Sequence, residues 1–276
     1  MNNFKIVFFG IFACLIPFYD CFAVQPLLGQ TTGPDSDQQM SDFSLSGYGD
    51  RGKKSWDISG KSADITTQVI KLNENLVEVK RNGKQGWSEG LFDTPTSIDA
   101  STGLDVFICD GKNNRIERFD RNLNYISSLV TNLTTFLPQY QFNTPISSIL
   151  MNSNDMYVFD KDNNRVVIFK DGLNPVNSFG EYQNSNGRIE RGRKMVKDKN
   201  NFIFIHDVGQ NAVLKFDNFG SFMKKIKIDT IYSISVYNNN LYLLTNNKIY
   251  SYNIEKNTFD DYYDFHLKND QFDEFM

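Results

Sequence analysis

A ten-residue string recurs along this chain. Asp110-Gly-Lys-Asn-Asn-Arg-Ile-Glu-Arg-Phe119 is echoed by Asp160-Lys-Asp-Asn-Asn-Arg-Val-Val-Ile-Phe169, and Asp207-Val-Gly-Gln-Asn-Ala-Val-Leu-Lys-Phe216 echoes both. The Asp-to-Phe gap is 9 in all three, and in the first two a proline (Pro95, Pro145) stands 15 residues before the Asp. Gln68-Val-Ile-Lys-Leu72 aligns as a degenerate earlier copy, with Leu72, Phe119, Phe169 and Phe216 spaced by 47, 50 and 47 residues. A last copy, Leu241 to Tyr252, ends 36 residues after Phe216 and has lost the Asp. A β unit recurring at such a period is the mark of a propeller or a related array, in which each unit buries its apolar face only against a neighbour.

Each full unit predicts four strands. A short strand follows the proline, and a second apolar strand ends at the Asp, as in Asp105-Val-Phe-Ile-Cys109 and Met156-Tyr-Val-Phe159. An Asn-rich turn leads to a third, alternating strand, and Tyr125-Ile126 or Phe222-Met223 begins an outer one. That is the meander of a propeller blade. Five units are expected, around 55–83, 92–130, 142–180, 188–226 and 228–265, with residues 40–58 adding strands to a sixth blade or to ring closure. The 24 Phe, 13 Tyr and many Asn residues suit an all-β chain with tight turns.

Residues 1–23 read as a secretory signal: Lys5, an apolar run from Ile6 to Phe18, and a small residue, Ala23, at the cleavage point. The run is shorter than the ~20 residues a membrane-spanning helix needs. The expectation is therefore a secreted or periplasmic protein, not integral to the membrane, with 24–40 as a linker and 41–276 as the propeller. Of the three cysteines, only Cys109 follows the signal, so no internal disulfide is expected, and its apolar setting predicts a buried thiol. With 29 basic and 33 acidic residues the net charge of −4 argues against nucleic-acid binding.

The strings Asn113-Asn-Arg-Ile-Glu-Arg-Phe-Asp120 and Asn163-Asn-Arg-Val-Val-Ile-Phe169 resemble NHL repeats. Gly86-Trp87-Ser-Glu-Gly90-Leu-Phe-Asp-Thr-Pro95 resembles the glycine-rich connection between their blades. The resemblance covers about 55–265 and implies a propeller of about six blades, mostly an interaction platform and in a minority of cases an enzyme. Separately, 42–64 is similar to the start of the periplasmic β-jellyroll component of the lipopolysaccharide transport bridge. That likeness implies an envelope-transport accessory.

The repeat itself supplies the candidate site residues. Asp110, Asp160 and Asp207 occupy one place in successive units, so they either converge on a hard cation or accept hydrogen bonds from turn amides; the second reading is favoured. Arg115 and Arg165 begin the third strand and match carboxylates in a fork, whether of the protein or of an anionic ligand. Arg188, Arg191 and Arg193 open a basic run, and Trp87 is either an exposed contact residue or a plug in its loop. Only two histidines exist, and no hydrolase, phosphate-loop or Cys-x-x-Cys motif is present. The expected function is non-catalytic binding of a protein, peptide or envelope glycan, with no cofactor or metal. A propeller hydrolase or lyase is the alternative.

Overall fold

The computed structural model describes residues 78–131, 136–181, 186–228, 230–237, 239–245 and 248–264, together with strands at 5–9, 12–16, 21–25, 45–47 and 68–72. The described residues contain β-strands and two single 3-10 turns, Pro138–Tyr140 and Lys161–Asn163, and no helix long and apolar enough to cross a membrane. The chain divides into two compact units, Met1–Phe179 and Gly180–Met276.

In the first unit, β1 (Lys5–Phe9) pairs with β2 (Phe12–Ile16). Strands β3 (Cys21–Gln25), β4 (Leu45–Gly47), β5 (Gln68–Leu72) and β6 (Glu78–Asn82) form a sheet in the order β4-β3-β5-β6. Two complete meanders follow. One is β7 (Pro95–Asp99), β8 (Asp105–Asp110), β9 (Arg115–Asp120) and β10 (Tyr125–Val130); the other is β11 (Pro145–Leu150), β12 (Met156–Asp160), β13 (Arg165–Lys170) and β14 (Asn174–Phe179). The second unit holds two more. They are β15 (Gly192–Lys197), β16 (Ile203–Asp207), β17 (Ala212–Phe216) and β18 (Phe222–Lys227), then β19 (Ser233–Tyr237), β20 (Asn240–Leu244), β21 (Lys248–Asn253) and β22 (Thr258–Asp264).

The four complete meanders match the expected units to within one residue, β18 running to Lys227 against an expected end at 226. The first expected unit, 55–83, is corrected: β5 and β6 are its hairpin, but their sheet takes its other strands from Cys21–Gln25 and Leu45–Gly47. Leu45–Gly47 thus lies in this sheet rather than in a sixth blade. Residues 26–44, 48–67 and 265–276 lie outside the described residues; of the expected linker 24–40, Val24 and Gln25 fall in β3 and the rest is among these.

The strands alternate their side chains between the two faces of each sheet. In β8 and β9 one face carries Val106, Ile108 and Phe119 into a core with Val69, Phe92, Ile98, Ala100 and Leu123. The opposite face sends Phe107, Cys109 and Ile116 against Phe142, Met156, Val158, Val167 and Phe169 of the next meander. In the second unit Phe204 and Val213 of one meander pack on Ile234, Leu241, Leu243 and Tyr252 of the other. This is why the recurring Phe is kept: Phe119, Phe169 and Phe216 are each at most 1% exposed. A fully buried aromatic of this size contributes roughly 2–3 kcal/mol by area alone. Cys109 is buried and free, as expected, and burial pushes its thiol up to about 12, which leaves it unreactive at neutral pH.

One local device recurs that the sequence pattern did not reveal. The outer strand starts with a register shift after Glu78, Tyr125, Pro175 and Phe222, which pair with Leu72, Phe119, Phe169 and Phe216. The extra residues are Val79, Ile126, Val176 and Met223, each between 45% and 58% exposed. A bulge there twists the edge strand and blunts it against unwanted pairing.

Candidate functional site

Each of the three matched aspartates ends the second strand of its meander and is 0% exposed. A carboxylate in that position has to be satisfied by the protein, and the incoming loop does so. Asp110 accepts the backbone N–H of Asp93 at 2.7 Å, Asp160 that of Asn143 at 2.6 Å, and Asp207 those of Glu190 at 2.8 Å and Arg191 at 3.0 Å. A side-chain amide completes a clasp. Asn113 Nδ2 donates to Asp110 and to the Gly86 carbonyl, at 2.7 and 2.8 Å. Asn163 Nδ2 bridges Asp160 to the Gln141 carbonyl at 2.7 and 3.3 Å, and Gln210 Nε2 bridges Asp207 to the Arg188 carbonyl at 2.8 and 2.6 Å.

The neighbouring asparagine has a different task. Asn114, Asn164 and Asn211 adopt φ values of 52°, 49° and 46°, the left-handed conformation that Asn tolerates better than most residues. The two asparagines in the repeat therefore serve side-chain bonding and backbone reversal respectively. The Asp series, expected to accept bonds from turn amides, does so. Its members are committed to framework, and among the described residues no group of three or more His, Cys, Asp or Glu residues is placed to hold a metal.

Arg115 and Arg165 fork onto the aspartate of their own meander, at 3.0 and 3.2 Å from Oδ2. Arg165 also donates to the Gln141 carbonyl at 2.7 Å. Arg115 reaches further, to the carbonyls of Trp87, Ser88 and Leu91 at 2.8, 3.0 and 2.5 Å. Both arginines are buried (6% and 7% exposed), so the reading in which they face a ligand is corrected: each is enclosed by its loop. What they display is the loop. Residues 84–92 close on themselves through Phe92 N–H to Lys84 O at 2.9 Å and Gly86 N–H to Phe92 O at 3.0 Å. Held this way, Trp87 is 81% exposed, so its side chain projects into solvent and does not plug the loop. Leu137, in the loop that precedes the next meander, is 59% exposed.

Glu117 was not singled out from the sequence, and it is the departure within this repeat. The matching places in the next two strings are Val167 and Leu214, whereas Glu117 puts a carboxyl at 0% exposure. Its Oε1 meets Arg115 at 2.9 Å and the Gly90 N–H at 3.3 Å, while Oε2 has no hydrogen-bond partner. Burial raises its pKa to about 7, against the pull of Arg115, with Asp110 adding to the rise. Asp110 itself is pushed up to about 6 by burial, opposed by its bonds to Asn113, Asp93 and Arg115. A comparison of the aligned strings position by position would have shown Glu117 as the one acidic residue in an apolar column.

In the second unit Arg188 pairs with Glu190 and gives its carbonyl to Gln210. Arg191 has its N–H on Asp207 and, like Arg193 on the edge strand β15, its side chain is exposed. His206 is 1% exposed, and neither ring nitrogen has a hydrogen-bond partner. Burial first, then the charge of Arg193, lowers its pKa to about 4; Asp207 and the Ile231 main chain pull the other way. It is a neutral, enclosed ring at ordinary pH. His266 lies outside the described residues.

No protein-family model matches the sequence, and no curated protein matches it. Solved structures do match. A streptogramin B lyase aligns with TM-score 0.53 at 14% identity over 73% of this chain and 63% of its own. An inactive variant of virginiamycin B lyase from Staphylococcus aureus with quinupristin aligns with TM-score 0.54 at 15% identity, over 73% of this chain and 64% of its own. A nidogen/laminin complex aligns with TM-score 0.51 at 13% identity, over 72% and 73%. These neighbours are β-propellers, and the likeness, with the four meanders, assigns this chain the β-propeller fold. The chain spans just under two thirds of the length of the lyases. The lipopolysaccharide-transport resemblance rests on 42–64, of which only Leu45–Gly47 is described, and it finds no support among these neighbours.

Proposed function

We propose that this protein is a non-catalytic, NHL-type β-propeller of the cell envelope that binds a protein or peptide partner through its inter-blade loops. The observation that carries the reading is the treatment of the 84–92 loop. Arg115 and Glu117 make charge-assisted bonds, and Asn113 an amide bond, to its carbonyls and amides, and the large apolar side chain that the loop leaves in solvent is that of Trp87. A rigid loop presenting a large aromatic loses little entropy on contact, which is where binding energy concentrates. That one propeller of similar fold was solved as a nidogen/laminin complex is consistent with a protein partner. The lyase alternative is disfavoured by the enclosure of His206 and by the commitment of the aspartates to framework. Export is supported by the apolar leader alone.

The test uses a photo-crosslinking amino acid in intact cells, in place of Trp87 or of Leu104, which is 70% exposed in the turn between β7 and β8. A discrete covalent adduct from position 87 and none from 104 is the expected result. The Trp87→Ala protein should then melt like the parent yet bind the captured partner at least ~30-fold more weakly. Equal or absent adducts at the two positions would overturn the reading. Terminal sequencing of the same purified chain checks export. Cleavage after Ala23 would remove most of the residues assigned to β3, so a mature terminus at 24 means the first sheet forms without it.

A further inference from the structure

The second unit contains an amine that meets aromatic rings in place of an acceptor. Lys215 on β17 is 5% exposed, and among the described residues it makes no hydrogen bond or ion pair. Its Nζ lies 4.2 Å from the Phe202 ring centroid and 5.7 Å from that of Phe204. Phe204 and Lys224 are its register partners on either side, so all three share one face of the sheet. Lys224 Nζ gives two of its three N–H groups to the Tyr252 hydroxyl at 2.6 Å and to Asn257 at 3.2 Å. The turn after β15 and the turn after β21 meet over this end of the two sheets, where Lys199 and Glu255 lie 3.9 Å apart. The side chain is buried up to its tip, where Nζ still reaches water, and stripping part of an ammonium's hydration is a cost that the aromatic faces offset in part. Desolvation lowers the Lys215 pKa; the Asp198 charge opposes it, and the smaller effect of the Lys224 charge adds to it.

We propose that Lys215 is an imine-forming amine, and that this end of the two sheets takes up a small carbonyl compound bearing an acid group. In its unprotonated form Nζ places its lone pair on the carbonyl carbon, its proton passes to the carbonyl oxygen, and the carbinolamine loses water to leave a C=N bond. No oxidant or reductant is consumed, and water reverses the step. A lysine whose stem is walled by aromatic rings and whose tip opens beside a second cation combines partial desolvation with access for a reactant, the two conditions for a nucleophilic amine. The free N–H of Lys224 is the group for the ligand's carboxylate.

The experiment treats the full chain at pH 7 with limiting glyoxylate and cyanoborohydride, which delivers hydride to the C=N bond and fixes it as a secondary amine. Site occupancy is then read by peptide mass spectrometry. Lys215 should carry about tenfold more product than the exposed Lys112 and Lys161 of the same molecule. Occupancy equal to theirs, or below, overturns the proposal. Two variants separate the causes. Phe202→Leu, which keeps an apolar side chain, should reduce the excess, and Lys224→Met should reduce it for glyoxylate but much less for propionaldehyde. An unchanged excess in both variants would refute the enclosure and the role of the second amine.

Discussion

Arg115→Ala will destabilise the first unit by about 4 kcal/mol, the cost expected when one member of a buried ion cluster is removed and the others are left. Asp110 and Glu117 are both 0% exposed, and Arg115 is the cation within 3.0 Å of each. Without it two carboxyl groups share a dry space, and the carbonyls of Trp87, Ser88 and Leu91 lose their donor. Scanning calorimetry should place the melting transition roughly 10 °C lower. Limited trypsin should cut early after Lys84, at the base of the released loop. Adding Glu117→Val, which restores the residue type of the aligned position Val167, should recover part of the loss, because one of the two stranded acids is gone. A cost below about 1 kcal/mol for Arg115→Ala would mean that the cluster is solvated and not part of the framework.

The second large effect is a stability that falls toward alkaline pH. Glu117 titrates at about 7 in the folded chain against an ordinary 4.5, so the folded state holds a proton that the unfolded chain has released. Its contribution is complete below pH 4.5 and is lost as the pH rises through 7. The shift corresponds to about 3 kcal/mol. His206 acts in the opposite direction over a lower window. Its folded pKa of about 4 lies below the ordinary 6.5, so its contribution is present above pH 6.5 and is lost as the pH falls toward 4. Between pH 6.5 and 8 Glu117 therefore dominates. Glu117→Gln should be more stable than the parent by about 2 kcal/mol at pH 8, the full shift less an amide left without an acceptor. Near pH 4.5 the gain should give way to a loss of about 1 kcal/mol, the cost of the amide alone. Urea denaturation across this range reads the difference directly, and a gain that does not depend on pH would rule out Glu117 as its source.

A carboxyl that weakens the fold at neutral pH, where the aligned positions use Val167 and Leu214, is a local exception to a pattern otherwise built for packing. Such exceptions collect where function is placed. Its bond to the Gly90 N–H ties the exception to the loop that presents Trp87.

The repeat alone determined the fold class, the strand order inside each complete meander and the burial of Phe119, Phe169 and Phe216. Period-2 alternation and the spacing of turn residues are local properties, and four meanders follow from them with little help from the rest of the chain. The Asp and Arg roles were half legible: their matched positions implied structure, but not that a single amide, from Asn113, Asn163 or Gln210, ties each aspartate to the loop arriving from the preceding blade. The tertiary structure decided that, since the bonded carbonyls come from residues more than 20 positions earlier. It also decided the make-up of the first sheet, whose strands are not consecutive, and the isolation of Lys215. An amphipathic strand states which residues lie on one face. Whether that face meets solvent, a carboxylate or an aromatic ring depends on the neighbour packed against it, and no local pattern encodes the neighbour.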